Sequence, residues 1–564
     1  MRMNIEDIRK LFQIKMDKLG TLLVFSFITF SLLLIFSVKH QISIFDFVAG
    51  FPNRNVTSSS TVLKQGASNI TVLGDKDYHK TQTILDIDQK KDTSLSSISI
   101  ANDQLLDGLL VSAFEEASCL SRYQSHLYRK PSPYKPSAYL ISKLRSYENL
   151  HTTCGPRTES YNKVMTKGPK LGTNCKYLIW TASNGLGNRM ITLAAAFLYA
   201  ILTDRVLLVE FGDDMFGLFC EPFPNSSWLL PRSFPYWNDQ KDIETYENML
   251  MNSKKNRSNG LLPQFLFLNL QHTRDGHNNF FHCDQSQGLL QNVSVLILSS
   301  DQYFVPSLFM IPSFTQELNK MFPRKDTVFH HLGRYLFHPS NEAWDLISRF
   351  YGEHLSKENE KIGLQIRVFK THRAPHETII KEILACTLQH KLLPEFGVQK
   401  TVAAPLLKKQ TSKAVLVASL YSEYGEKLRT MYKANTTVTG EVINVYQPSH
   451  EGRQKSNNDT HNIQAWTEIY LLSLCDALVT SPKSTFGYVA HSLGGLKPWI
   501  RQRAKGETIP NPPCRRAKSM EPCFHYPPKY NCRANSTVDF TSLFHHMKHC
   551  EDVSKGLRLV NADH

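Results

Sequence analysis

The stretch that decides the fold runs from residue 461 to residue 495 and reads HNIQAWTEIYLLSLCDALVTSPKSTFGYVAHSLGG. Its first third has apolar residues at helical spacing, and the apolar run 477–479 is typical of a short buried strand. A second helix is predicted to begin at Ser484 or Thr485 and to end at Gly495. Free backbone N–H groups at such a helix start favour an anion, so we predict a phosphate site there. An ordinary capped helix of an α/β protein would show the same pattern.

Strands and helices alternate in two further parts of the chain. The first begins with a strand at 177–180 and continues through a glycine loop to a helix and a strand at 206–209. The second begins with a strand at 363–369 and leads into the opening stretch. Alternation at this spacing is typical of parallel sheets with helices on both faces. We therefore expect an α/β fold in which two Rossmann-like domains face each other across a cleft.

An uncharged, apolar segment covers residues 19–38. About 20 such residues span the hydrocarbon core of a bilayer. Basic residues precede the segment at Arg2, Arg9, Lys10, Lys15 and Lys18. We therefore predict a cytosolic tail at 1–18 and a transmembrane signal-anchor at 19–38, with the rest of the chain translocated. A cleaved signal peptide is the alternative.

Composition divides the translocated part. Residues 39–103 are rich in Ser, Thr, Asn and Asp without a sustained period, which predicts a largely disordered stem. An N-terminal α/β domain is expected at 104–355 and a C-terminal α/β domain at 356–510. Residues 511–564 form a Cys- and Pro-rich tail that we expect to pack back on the body.

Glycosylation sequons and cysteines support an oxidising lumen for the body. The sequons begin at Asn55, Asn69, Asn225, Asn256, Asn292, Asn435, Asn458 and Asn535. The 11 cysteines are expected to form disulfides and to leave at least one free thiol.

The chain is strongly basic, with 65 Lys and Arg against 50 Asp and Glu and a formal net charge of +15. That excess suits nucleic acid, an anionic membrane or a negatively charged small substrate. The sequence has neither zinc-finger spacing nor an aromatic RNA-binding motif, so no nucleic-acid partner is expected.

Two features could bind a phosphorylated ligand. Arg367 lies near the carboxyl end of its predicted strand, where its bidentate guanidinium suits a pyrophosphate, although a structural ion pair is an equal alternative. The loop SNGLGNR at 183–189 lacks the Lys-Ser/Thr ending of a Walker A loop and one glycine of the dinucleotide fingerprint. Its glycines still allow close approach of a ligand or a neighbouring backbone, while a bare tight turn remains the alternative.

Metal-binding Asp-x-Asp pairs occur only in the predicted stem, at Asp75/Asp77 and Asp86/Asp88, where nothing fixes ligand geometry. The body therefore shows no obvious metal site, and we expect none.

Several segments, in this order along the chain, match one known family. They are SNGLGNRM (183–190), FCEPFPNSSWLLP (219–231), IGLQIRVF (362–369), SLYSEYGEKL (419–428), QAWTEIYLLSLCDALVTSPKSTFGYVAHSLGG (464–495) and CFHYPP (523–528). Together they resemble the plant cell-wall α-1,2-fucosyltransferases, of which the xyloglucan fucosyltransferase is the best-known type.

The resemblance implies a type II Golgi membrane protein with a GT-B-like architecture. It implies inverting transfer of L-fucose from GDP-β-L-fucose to the 2-OH of a galactose in a xyloglucan, arabinogalactan or related wall glycan, with no metal cofactor. The expected partners are GDP-fucose, a galactosylated wall polysaccharide or proteoglycan, the Golgi membrane and a second copy of the chain. A catalytically inactive glycan-binding scaffold on the same fold is the alternative.

The resemblance also assigns site residues. Donor binding falls to Arg367, Ser484, Thr485, Phe486, Gly487 and Tyr488. The donor–acceptor junction falls to Asn184, Gly185, Gly187, Asn188 and Arg189. The loops 252–260 and 446–460 are expected to contact the acceptor.

For the proton of the acceptor hydroxyl, Asp301, Glu210, Asp213 and Asp214 all qualify by their positions at strand ends, and a turn or cap role is the alternative for each. Among them we choose Asp301, at the end of the predicted strand 293–298. We therefore expect Asp301, with Arg367, to be catalytic.

Overall fold

The computed structural model describes residues 105–165, 173–237, 243–254, 262–272, 280–369, 374–397, 411–455, 458–504, 506–532 and 536–561. The predicted tail, anchor and stem lie outside these residues. Within them, no helix is both long and apolar enough to cross a membrane. Two parallel sheets lie in one compact unit, Lys90–His564, which confirms the predicted α/β fold.

The first sheet has the strand order β2-β1-β5-β4-β3. Its strands are β1 (Lys176–Thr181), β2 (Arg205–Glu210), β3 (Glu244–Thr245), β4 (Phe265–Asn269) and β5 (Val295–Ser299). Neighbouring strands are parallel, so their carboxyl ends meet along one edge. β1, β2 and β5 are buried on both faces, which is why their sequences read as continuous apolar runs rather than alternating ones.

The second sheet has the order β11-β10-β9-β6-β7-β8. Its strands are β6 (Glu360–Ile366), β7 (Ser412–Ser419), β8 (Val442–Tyr446), β9 (Ala477–Thr480), β10 (Trp499–Arg501) and β11 (Cys514–Arg516). All pairs are parallel except β10 with β11. β6 ends three residues earlier than predicted, because the Arg367 N–H leaves the ladder and donates to the Ser481 hydroxyl at 2.8 Å.

Helices connect the strands and cover both sheets. They are α1 (Leu120–Gln124), α2 (Ala138–Cys154), α3 (Glu159–Met165), α4 (Leu186–Leu202), α5 (Tyr246–Lys254), α6 (Asp284–Gln291), α7 (Val305–Leu308), α8 (Thr315–Met321), α9 (Val328–Leu336), α10 (Asn341–Phe350), α11 (His376–Gln389), α12 (Glu423–Ala434), α13 (Asp459–Leu472), α14 (Thr485–Gly494) and α15 (Phe540–Leu543). α4 lies at the centre, in contact with α9, α13 and α14, and is buried along nearly its whole length. The largest apolar cluster contains residues of both sheets, such as Leu298 and Leu416.

Disulfides use ten of the cysteines, and Cys475 is a buried free thiol, as the odd count predicted. The pairs are Cys119–Cys220, Cys154–Cys175, Cys283–Cys532, Cys386–Cys514 and Cys523–Cys550. Two of these pairs join the C-terminal segment, from residue 511 onward, to the body. Cys283–Cys532 does so on the side of the first sheet and Cys386–Cys514 on the side of the second.

A buried carboxyl group adds to this attachment. Glu521 accepts hydrogen bonds from the Tyr303 hydroxyl at 2.5 Å and from the Phe329 N–H, at the start of α9, at 2.8 Å. Burial raises the pKa of Glu521 to about 8, so near neutral pH the group is held largely protonated. The segment 511–561 is thus part of the folded body, not an appended tail.

Candidate functional site

The opening stretch folds as its sequence predicts, into α13, β9 and α14. Gly495 ends α14 in the left-handed region with φ +69°. Ser484 occupies the N-cap position with extended backbone, but its hydroxyl makes no capping hydrogen bond. The first turn of α14 therefore lacks the side-chain acceptor that usually satisfies its N–H groups.

The glycine loop meets this helix start directly. A Cβ on Gly187 would lie 2.6 Å from the Phe486 nitrogen and 2.8 Å from the Thr485 carbonyl carbon. Asn188, the residue after Gly187, accepts a hydrogen bond at its Oδ1 from the Thr485 hydroxyl at 2.5 Å. The N-terminal ends of α4 and α14 are thus in contact, and both carry the positive end of a helix dipole. An anion at their junction would be stabilised by both.

Arg189 stabilises the conformation of the glycine loop. Its guanidinium is nine-tenths buried, donates to the Asn184 carbonyl at 2.7 Å and pairs with Asp214 at 2.8 Å. Asn184 itself has φ +61°, a conformation that Asn tolerates better than most residues. The Asn462 amide also donates to Asp214, which ties α13 to the loop. Arg189 and Asp214 therefore form a buried ion pair, and the role of Arg189 at the donor–acceptor junction stays a prediction.

Arg367 lies at the carboxyl edge of the second sheet. Its Nη2 donates to the Gln454 Oε1 at 2.8 Å, so the predicted acceptor loop 446–460 reaches this arginine. The guanidinium carbons of Arg367 and Arg503 lie 5.7 Å and 5.0 Å from the ring centroid of Phe369. Partial burial lowers the pKa of Arg367, but a guanidinium stays charged at neutral pH. Two such groups beside one ring suit a pyrophosphate.

A buried polar network positions Arg367, and sequence reasoning missed it. Ser481 Oγ accepts from the Arg367 N–H and from Arg501 at 3.1 Å, and it donates to the Gln365 carbonyl at 3.1 Å. Arg501 in turn pairs with Glu382 at 2.9 Å, with both side chains almost fully buried. The sequence feature that could have revealed this network is Gln365, a polar residue in an otherwise apolar strand.

The residues 484–488 divide between two faces of α14. Thr485 and Phe486 are half-buried, whereas Ser484 and Gly487 are buried. Tyr488 is also buried, and its hydroxyl donates to Asp552 at 2.5 Å and lies 3.0 Å from the His525 Nε2. The Tyr488 side chain thus faces the C-terminal segment, and the assignment of this residue to donor binding stays a prediction.

Asp301 follows β5, as predicted, and its carboxylate is buried. Oδ1 accepts from the His272 N–H and from the Gln302 amide, both at 3.0 Å, and Oδ2 accepts from the His272 Nδ1. These three bonds use most of the acceptor sites of the carboxylate, and the catalytic role expected of Asp301 stays a prediction. Sequence reasoning missed His272. Its position just after β4 could have identified it as a candidate at the carboxyl edge of the sheet.

Among the described residues, potential metal ligands come together in two places. Two groups lie close enough together, His282 with Cys283 and Cys532, and Cys523 with Cys550 and Asp552. Each contains a disulfide, so its sulfur atoms offer no thiolate. The Asp-x-Asp pairs of the predicted stem lie outside the described residues.

Two parallel sheets, with an arginine and a helix start at one carboxyl edge, define the class of α/β proteins that bind nucleotides at that edge. The chain belongs to the xyloglucan fucosyltransferase family, which matches residues 80–533.

Individual relatives agree with this assignment. The galactoside 2-alpha-L-fucosyltransferase of Pisum sativum is 48% identical over 515 residues, which cover 89% of each chain. The protein of the same name from Arabidopsis thaliana is 51% identical over 475 residues, which cover 82% of this chain and 84% of the relative. A crystallographic relative, a substituted form of Arabidopsis thaliana FUT1 in complex with GDP, is 51% identical. It covers 81% of this chain and 100% of its own, with a TM-score of 0.74.

The close approach at Gly187 leads to a prediction. In Gly187→Ala the new methyl group would meet the α14 backbone, so we expect a loss of stability of about 1–3 kcal/mol and weaker GDP binding. Gly288→Ala is the matched control, because Gly288 lies in α6 and has open space around its Cβ position. Thermal melts and GDP titrations of both variants are the measurement. Equal behaviour of the two variants would contradict a close contact at Gly187.

Proposed function

We propose that the protein transfers L-fucose from GDP-β-L-fucose to the 2-OH of a galactose in a plant cell-wall glycan, with inversion at the fucose. The observation that carries the proposal is the position of Arg367 at the carboxyl end of a parallel strand, where its backbone N–H bonds Ser481, three residues before the uncapped N-cap residue Ser484 of α14. The same site is expected to hold GDP because a relative that is 51% identical over this region binds GDP. Its galactoside-specific relatives suggest the acceptor class.

The two sheets divide the work in a GT-B-like manner. The second sheet, in 356–510, supplies Arg367 and α14 to the donor. The first sheet, in 104–355, supplies the loop 183–189 to the donor–acceptor junction. We infer that the wall glycan approaches from the side of the first sheet.

Charge drives the chemistry at this junction. As the bond between fucose and phosphate breaks, negative charge grows on GDP and positive charge grows on the sugar. Arg367, Arg503 and the two helix starts supply positive charge that folding has already fixed in place, and this charge stabilises the departing GDP. The acceptor hydroxyl then attacks the oxocarbenium-like fucose from the opposite face, which gives inversion.

A catalytically inactive glycan-binding scaffold is the second candidate. It shares the fold but makes no use of an anion site. The retained arginine, glycine loop and helix start argue against it, because each would be free to change in a protein that binds only neutral glycan.

Arg367 gives the sharpest site prediction. Removing one preorganised donor to developing charge costs about 3–4 kcal/mol, so Arg367→Ala should lower kcat/KM for GDP-fucose by roughly 10² to 10³. Arg367→Lys keeps the charge but loses the fork, so partial rescue is expected. Kinetics and thermal melts on the same folded samples are the measurement. If Arg367→Ala melts earlier but turns over within about threefold of wild type, the residue is structural only.

Turnover is expected on GDP-fucose with a galactosylated acceptor, and it is expected to survive EDTA because the sequence confines its Asp-x-Asp pairs to the stem. The full-length protein in membranes would be assayed on xyloglucan, arabinogalactan and pectic galactan, with and without EDTA. Product linkage would be read by NMR. Glycan binding without turnover on any acceptor would favour the scaffold, and loss with EDTA reversed by Mn²⁺ would show a metal requirement.

We further propose a single-pass type II orientation in the Golgi membrane, with the body lumenal and paired with a second copy. The support is the basic segment before 19–38 and the sequons after it. Protease treatment of intact microsomes should leave a glycosylated fragment of nearly full size, which sedimentation in detergent should show as a dimer. Digestion of the body without detergent would reverse the orientation.

A further inference from the structure

A histidine and an aspartate share the carboxyl edge of the first sheet. His272 follows β4 and Asp301 follows β5, two neighbouring parallel strands whose last residues, Asn269 and Ser299, pair in register. The His272 Nδ1 and backbone N–H both bond the Asp301 carboxylate. Asp301 is thereby held against one side of the imidazole.

The two side chains differ in exposure. The Asp301 side chain is 5% exposed, whereas the His272 side chain is 42% exposed. A third bond, from the Gln302 amide at 3.0 Å, fills the remaining capacity of Oδ1. Because Nδ1 donates to the carboxylate, the neutral ring carries its lone pair on Nε2. The basic atom of the pair is therefore on the histidine, the more exposed of the two side chains.

We propose that His272 is the general base of fucosyl transfer and that Asp301 is its positioning residue, an inference that rests on the proposed function. The acceptor O–H bond breaks as its oxygen bonds the fucose C1, and the proton passes to the His272 Nε2. The bond from C1 to the phosphate oxygen breaks with its electron pair, which leaves on GDP. The imidazolium is stabilised by the Asp301 carboxylate and later releases its proton to solvent.

Neighbouring contacts fix the imidazole and place it beside the site. The Tyr526 ring stacks on the imidazole with a centroid distance of 5.1 Å and an interplanar angle of 23°. The Tyr526 N–H donates to the Gln302 Oε1 at 3.3 Å, so the stacking ring is tied to the residue that also holds Asp301. On the other side, the Gln271 amide donates to Ser183, the first residue of the glycine loop, at 3.0 Å. The histidine thus lies one residue from a contact with the donor–acceptor junction.

A second exposed pair provides a matched control. The His549 Nε2 lies 2.9 Å from the Asp539 carboxylate, and the histidine side chain is 41% exposed, close to the value for His272. This pair lies in the C-terminal segment, where His549 ends the short strand Met547–His549. It is also a pair of a histidine and a carboxylate, but it does not lie at the carboxyl edge of the first sheet.

The test compares His272→Asn, His272→Ala, Asp301→Asn and His549→Ala in the full-length protein in membranes. The Asn amide can keep a bond to Asp301 but offers no base, so His272→Asn should fold and bind GDP within about threefold of wild type. Its kcat for transfer should fall by about 10² to 10⁴. Asp301→Asn should also lower kcat, because the imidazole loses its orientation, and His549→Ala should behave as wild type.

Chemical rescue separates a base from a structural residue. Added imidazole should restore part of the turnover of His272→Ala and none of that of Asp301→Asn. A His272→Asn variant within about threefold of wild type would overturn the proposal, as would loss of kcat only in Asp301→Asn, which would make Asp301 itself the base. Loss without rescue, with GDP binding weakened to the same degree, would also overturn it. A wild type that binds GDP but transfers to no acceptor would instead refute the proposed function.

Discussion

The contact between the starts of α4 and α14 at Gly187 is the constraint on which the site depends. Two helix starts, each carrying roughly half a positive charge, are packed together with Arg367 nearby. Such an arrangement opposes folding by a fraction of a kcal/mol per helix end, and core packing of α4 offsets it. Because folding has already brought the two helix starts together, a diphosphate that binds there is stabilised by both helix dipoles without further rearrangement.

The C-terminal segment fixes residues next to this contact. Asp552 accepts hydrogen bonds from the Tyr488 hydroxyl and from the Lys483 N–H at 2.8 Å, and so fixes the loop that precedes α14. Glu521 fixes the start of α9, which packs against α14. The anion site is therefore set by residues at both ends of the folded chain.

Local sequence patterns were sufficient for the α/β alternation, for the opening stretch and for the position of Arg367 near a strand end, because each depends on neighbours within a few residues. The contacts of Arg189, Tyr488 and Asp301 could not be predicted in that way. The hydroxyl of Tyr488 bonds Asp552, and the carboxylate of Asp301 bonds His272, which follows a different strand. Contacts between distant segments leave no periodic signal in a single sequence.

The disulfides Cys283–Cys532 and Cys386–Cys514 bear on how substrates reach the site. Both sheets are cross-linked to the same C-terminal segment, and one apolar core contains residues from each. Opening by a hinge rotation of one half against the other would strain these links and expose that core. The loop that carries Gln454 is held mainly by polar contacts, such as Glu451 with His461. We therefore expect donor and acceptor to enter by movement of surface loops over this cross-linked frame rather than by slow domain closure.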